Sequence, residues 1–197
     1  MERKILIDKI LNIEFYFFDQ VRSNALLSCT ADEDDFFNQR RAQFVPWGSY
    51  TLKSYLSDLE LALKEKTNPV AQKYLCMGSS QPMKATNPHI DQIVERNLAW
   101  QTAMMAQYPH FMSQGRALTD GAGEVEEVAF DNYLRCELAS FSTRTVRLLH
   151  ADIEQMHQMG INMCEVIYDA LVKQYGYPSL SAAEAAMRNA SSKSPEL

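Results

Sequence analysis

The chain has 197 residues, a mass of 22.5 kDa and a net charge of −6. That length suits one sizeable core or two small helical halves packed together, and the acidic balance excludes the basic face that a nucleic acid requires. Hydrophobic residues at 46% and charged residues at 22% exclude a disordered chain, while 7 glycines, about half the usual share, disfavour sheets and their turns.

An all-α protein is therefore expected, as a helical bundle in one domain over residues 1–190 with a disordered tail over 191–197. The first helix runs from about Glu2 to Arg22, with Ile7, Ile10, Leu11, Phe17, Phe18 and Val21 at helical spacing. Its charged start, Glu2-Arg3-Lys4, is not that of a signal peptide, and the apolar cluster Phe15–Phe18 is too short to span a bilayer. Asp32 to Asp35 open a second helix that stops near Pro46. A third starts at Ser49, with Leu52, Tyr55, Leu56, Leu59 and Leu63 on one stripe. Asn68-Pro69 and Asn87-Pro88 each pair a capping residue with a first-turn proline, so helices begin at both, the second reaching about Gln107. Between them Gly78–Pro82 reads as a linker. Pro109 to Glu127 has glycines and no period, so a long loop is expected there. Helices follow at about Phe130–Phe141, Thr143–Met159, Asn162–Tyr175 and Ser181–Asn189, with Gly160 as a C-cap. Four cysteines, Cys29, Cys76, Cys136 and Cys164, are far apart with no CxxC pair, which favours a reduced cytoplasmic chain over a disulfide framework or a zinc site.

Sliding the sequence along itself by 94 positions aligns residues 36–74 with 130–168 without a gap. Eight of these 39 positions are identical, among them Arg41/Arg135, Thr51/Thr145, Asp58/Asp152 and Asn68/Asn162, where chance gives about two or three. The first helix joins at a shift of 83, where Ile7-Asp8-Lys9-Ile10 meets Ile90-Asp91-Gln92-Ile93. The pattern predicts an internal duplication, with halves of about 1–80 and 88–178 related by a pseudo-two-fold axis.

The repeat supplies its own control, because a position that is apolar in one half and polar in the other invites explanation. Leu56 and Leu63 correspond to His150 and His157, and the second half reads His150-x3-Glu154-x2-His157. On helical wheels Glu137 falls among Phe130, Leu134 and Phe141. Gln43 is its counterpart, and Glu14 with its counterpart Asn97 also points inward. A buried carboxylate is costly unless paired, so these residues either bond one another across the centre or line a polar cavity. In a cavity, Glu137, His150 and His157 are candidate acid/base residues. Glu14, Gln43, Asn97, Arg41, Arg135 and His110 are candidate substrate contacts. The arginines have a surface alternative, such as Arg135 with Asp131 four residues before it. Asp58 and Asp152 fall on the outer, solvated side. No cofactor is expected. Glu154-x-x-His157 has the spacing of di-iron bundles, but Glu60-Leu61-Ala62-Leu63 lacks the second His. A divalent metal on Glu14, Glu137, His150, Glu154 and His157 is thus a minor alternative. Trp47, Trp100, Met156, Met159 and Met163 read as core before they read as ligand contacts.

The chain resembles an all-helical bacterial family known only as a domain of unknown function, number four-one-two-five. The likeness lies in Met1-Glu2-Arg3-Lys4, Arg40-Arg41-Ala42-Gln43-Phe44, Ser54–Leu59 and Tyr133-Leu134-Arg135-Cys136-Glu137-Leu138, and extends to about Ala183. It departs from the family in the long loop and around Met156–Met163. The resemblance implies no activity or cofactor.

Function is therefore read from the residues alone. The leading expectation is an enzyme of lyase, isomerase or cyclase type acting on a small polar or anionic molecule. The alternatives are a non-catalytic binding or scaffold protein and a metal-dependent oxidase or oxygenase. The partner expected is a small molecule, with neither nucleic acid nor membrane, and a homodimer is an open alternative.

Overall fold

The computed structural model describes residues 2–23, 32–79, 87–119 and 128–191. Ten helices take up 80% of these residues, and no strand occurs among them. They are α1 (Glu2–Ser23), α2 (Glu33–Phe44), α3 (Ser49–Glu65), α4 (Pro69–Met77), α5 (Pro88–Gln107), α6 (Pro109–Met112), α7 (Phe130–Ala139), α8 (Thr143–Gln158), α9 (Met163–Gln174) and α10 (Leu180–Ser191). The Asn-Pro signals act as their chemistry demands. Asn68 accepts from the Ala71 N–H at 2.9 Å and Asn87 from the His89 N–H at 3.0 Å, each with proline in the first turn. None of the described helices is long and apolar enough to cross a membrane.

Helix α1 packs on α2, α3 and α4, and α5 packs on α7, α8 and α9. Between these sets α3 lies on α8, α2 on α9 and α4 on α7, while α6 and α10 close the end of α5 and α9. Phe44, Trp47, Tyr55 and Phe141 meet at the centre with ring centroids 4.6 to 6.0 Å apart, in tilted and edge-to-face contacts. Trp47, Trp100 and Met163 belong to the core as expected and Met156 packs against it, but Met159, which caps the end of α8, is 64% exposed and not core.

Several contacts occur twice. Asn68 Nδ2 donates to the Phe17 carbonyl at 3.0 Å, and Asn162 Nδ2 to that of Trp100 at 3.2 Å. Arg41 pairs with Asp8 at 2.7 Å, and Arg135 with Asp91. Helix α3 closes through Lys66 at φ 57° and α8 through Gly160 at φ 70°, each followed by an N–H returning to the carbonyl five residues back. Asp152 accepts from the Gly48 N–H at 2.7 Å and from the Thr51 hydroxyl at 2.5 Å, while Asp58 accepts from the Ser142 N–H at 3.0 Å and the Thr145 hydroxyl at 2.6 Å.

Those last bonds correct the reading of Asp58 and Asp152 as solvated. Each carboxylate reaches across the α3–α8 interface and caps the opposing helix. Gly48 is tailored to this approach, since a Cβ there would stand 2.5 Å from an Asp152 oxygen. The cysteine reading is also corrected: Cys76 on α4 and Cys136 on α7 form a disulfide with Cα atoms 5.6 Å apart. Sequence spacing could not reveal it, because the pair is 60 residues apart and meets only through tertiary packing. The expected loop after Pro109 begins instead with α6, then returns to α7, where the Phe130 N–H donates to the Ala117 carbonyl at 2.9 Å. Residues 120–127 of that loop, most of the predicted linker and residues 192–197 of the predicted tail lie outside the described residues.

Candidate functional site

A cavity of about 660 Å³ opens between α1, α2, α4, α5, α7, α9 and the segment 111–118. This volume suits a small organic ligand. Its walls are mainly apolar and aromatic, with Phe18, Phe36, Phe111, Phe130, Phe141, Ile167 and Tyr168 among them. Its inner end holds a connected set of charges.

Arg40 is the hub. It projects from α2 on the stripe shared by Phe36, Gln43 and Phe44, with its guanidinium 5.1 Å from the Phe44 ring centroid. Nε and Nη2 donate to the two oxygens of Glu14 at 2.9 and 2.5 Å, and Nη1 donates to Glu137 Oε1 at 2.7 Å and Gln43 Oε1 at 2.9 Å. The Tyr55 hydroxyl donates to Glu14 Oε1 at 2.5 Å. Glu14 is thus bonded through both oxygens. Glu137 is only 2% exposed, and its second oxygen, Oε2, makes no hydrogen bond. Lys73 Nζ on α4 stands 3.6 Å from Oε2 and 5.2 and 5.0 Å from the Tyr74 and Tyr133 ring centroids.

These contacts fix the protonation states. Burial alone would push the Glu137 carboxyl up, but the charges of Arg40 and Lys73, helped by the neighbouring Tyr133 hydroxyl, hold it at about 2. Burial likewise opposes the Arg40 charge, and Glu137 and Glu14 outweigh it and raise its pKa well above the ordinary value. The phenols of Tyr55 and Tyr133 are pushed up, first by burial and then by the adjacent carboxylates. On the opposite wall, burial drives the Cys164 thiol up to about 12, and its S–H points to Asn97 Oδ1 at 3.3 Å.

Residues 4–185 match the family model of a protein of unknown function, DUF4125. The chain belongs to that family. No curated protein and no solved structure matches it significantly. Family membership brings no activity, so the chemistry rests on the geometry.

Of the residues expected at the site, Glu14, Gln43, Asn97 and Glu137 line the cavity. The histidines do not reach it. His150 is half-buried on α8 against the His89 ring, with centroids 4.6 Å apart, and burial followed by the His89 charge lowers its pKa. His157 is exposed near Trp100. The inward stripe of α8 is instead Val146, Leu149 and Ile153. The equivalence of His157 with Leu63 misled because Leu63, in the last turn of α3, is itself 39% exposed.

Arg41 and Arg135 are surface partners of Asp8 and Asp91, not cavity anchors, and Asp131 is not the partner of Arg135. Glu154 on α8 lies 3.5 Å from Arg96 on α5 and does not line the cavity. The candidate metal set is therefore not assembled, and no group of three or more potential ligands occurs among the described residues. The His110 N–H donates to Glu184 at 3.2 Å and its ring stands 3.5 Å from the same carboxylate, whereas the next two residues, Phe111 and Met112, face the cavity.

The sequence reading missed Arg40, Lys73 and Tyr133. A signal was present in the alignment of residues 36–74 with 130–168, where Arg40 and Lys73 stand opposite Leu134 and Ile167, and Tyr133 opposite Gln39.

Proposed function

We propose that the chain binds a small organic molecule in this cavity, with the Glu14–Arg40–Glu137–Lys73 network as its recognition surface. The observation that carries this reading is the cavity itself, whose lining brings Glu14, Arg40, Lys73 and Glu137 together beside aromatic walls. The flanking apolar walls give the remaining contact area.

The chemistry on offer is fixed charge rather than a mobile proton. General acid/base work favours a pKa near the working pH, whereas Glu137 is held at about 2 and Arg40, Tyr55 and Tyr133 are displaced upward. The enzyme reading remains as a second proposal, and one observation favours it. Glu137 lines the cavity with Lys73 Nζ 3.6 Å from its carboxylate, and a carboxylate so placed can accept a proton while Lys73 stabilises the anion that forms. Lyase or isomerase chemistry of that kind would use Glu137 as the base.

The cavity also bears on the duplication, which we propose for residues 36–74 and 130–168. The doubled contacts support it, as does the lining, where Glu14/Asn97, Phe36/Phe130, Gln43/Glu137, Lys73/Ile167 and Tyr74/Tyr168 are aligned pairs. One half supplies most of the charge and the other amide and aliphatic groups, so an asymmetric ligand is expected.

A fragment screen by ligand-observed NMR tests the binding reading. Binders should weaken about tenfold or more in a Lys73→Met, Glu137→Gln double variant that melts like the parent, the size expected for lost hydrogen bonds to charged groups. Binders indifferent to that variant would place recognition elsewhere. A substrate that Glu137→Gln still binds but no longer converts would establish the catalytic reading.

A further inference from the structure

We propose that the Cys76–Cys136 disulfide is a redox switch that holds α4 against α7 and so sets whether Lys73 and Tyr74 stand in the cavity wall. Its bearing on a ligand rests on the binding reading above. The bond sits where such control is effective. Lys73 is three residues before Cys76 and Tyr133 three before Cys136, so on each helix the cavity residue lies one turn from the sulfur on the same face. There the Lys73 ammonium meets the Tyr133 ring at 5.0 Å, and Glu137 directly follows Cys136. Cutting the bond loosens the seam at the point where Lys73 enters the charged network.

The other half of the chain provides a control. Under the same shift of 94 positions the α4–α7 seam corresponds to that between α9 and α2, with Ala170 and Ala42 in place of Cys76 and Cys136. Helix α9 is anchored without sulfur. It buries Met163, Cys164 and Val172, Gln174 donates to the Asn38 carbonyl at 2.9 Å, and the Tyr175 hydroxyl donates to Asp35 at 2.7 Å. Helix α4 has nine residues, none of them fully buried, and Leu75 beside the disulfide is 65% exposed. So short a helix is not stable without tertiary support. Of the two equivalent helices, the one that carries Lys73 is the one tied by a bond that a thiol can break.

The chemistry is thiol–disulfide exchange with a dithiol. Cys76 Sγ is the sulfur within reach, since Cys76 is half-buried and Cys136 fully buried. A thiolate of the dithiol attacks Cys76 Sγ, the bond to Cys136 breaks, and Cys136 leaves as a thiolate that takes up a proton. The second thiol of the reductant then attacks the reductant's own sulfur in the mixed disulfide and releases Cys76, which is protonated in turn. Two electrons and two protons pass to the protein, and the dithiol becomes a disulfide. The reduced α4 keeps the Asn68 cap at its start and has lost the tie at its end, so Lys73 and Tyr74 leave the cavity wall.

Hydrogen exchange read by mass spectrometry on the full chain, first oxidised and then reduced with dithiothreitol, tests the switch, with the linkage of the oxidised sample checked by peptide mapping. Reduction should speed exchange across Pro69–Met77 about tenfold more than across Met163–Gln174. Acetylation of Lys73, whose side chain is 12% exposed in the closed form, should speed up by a similar factor relative to Lys173, which is already 55% exposed. The Cys76→Ala, Cys136→Ala variant should match the reduced parent and ignore the reductant. Equal acceleration of the two helices, or none, overturns the switch and leaves a plain staple. Failure of the oxidised chain to form this linkage overturns it too. A fragment found in the cavity should bind the oxidised form about tenfold more tightly. Equal affinity for the two folded forms overturns the switch and leaves the binding reading intact. Redox-dependent exchange of α4 with no fragment bound to either form has the opposite meaning: the switch stands and the binding reading falls.

Discussion

Arg40 neutralises two buried carboxylates at once, so its removal is more severe than the loss of an ordinary ion pair. Arg40→Met should destabilise the protein by about 3–5 kcal/mol, the range for leaving buried charge uncompensated. Adding Glu14→Gln and Glu137→Gln to that variant should recover much of the loss in urea denaturation, because neither carboxylate is then stranded, although Lys73 loses its partner. Acid provides a second test. The Glu137 pKa falls from an ordinary 4.5 to about 2 on folding, so its contribution is present above pH 4.5 and is lost as pH falls toward 2. The full contribution is about 3 kcal/mol, of which about 2 should be gone at pH 3. Between pH 7 and pH 3, Glu137→Gln should therefore lose about 2 kcal/mol less stability than the parent.

Among the helices, α4 has no fully buried residue, yet it carries Lys73 and Tyr74 to the cavity. Two devices hold it: the Asn68 cap and the Cys76–Cys136 disulfide to α7, whose next residue is Glu137. Asn68→Ala should cost about 1 kcal/mol or more, since the same side chain also anchors to α1 through the Phe17 carbonyl. Removing the disulfide should cost up to about 4 kcal/mol on a loop-closure argument for 60 residues. The corresponding positions on α2 and α9 are Ala42 and Ala170, so a Cys76→Ala, Cys136→Ala variant is sterically conservative. Its melting temperature, compared with that of the oxidised parent, measures the contribution, and the reduced parent controls for the substitutions themselves. Helix positions were legible in the sequence because caps, prolines and periodicity are local. The disulfide and the aspartate caps were not, since each joins residues 60 or more apart, and only packing brings them together.

For the molecule as a whole, the sequence conveyed the all-helical class and the inward turn of Glu14, Gln43, Asn97 and Glu137. It failed where phase had to be inferred at helix ends, as with His157, and where an inward cation went unread, as with Arg40. Long cations reach a buried carboxylate from a stripe that otherwise looks apolar, and wheel analysis has no means of seeing that reach. The same tertiary dependence gives a prediction at this scale. Two polypeptides divided between residues 79 and 87 should each show reduced helicity by circular dichroism and should regain it when mixed, because α3 and α8 take their caps from each other. Full helicity in either fragment alone would refute that dependence.

The exchanged aspartates also bear on ancestry. If the halves are duplicates, a half-length progenitor had its third helix finished by the carboxylate of a second copy, and so it was competent only as a pair. Such a pair dissociates on dilution. Fusing the two copies into one polypeptide replaces that equilibrium with an effective local concentration set by the connecting chain, so assembly no longer depends on abundance. It also releases the copies from identity. One could then collect Glu14, Arg40 and Lys73 while the other contributed Glu137 and kept aliphatic and amide groups elsewhere, a division of labour closed to a symmetric pair.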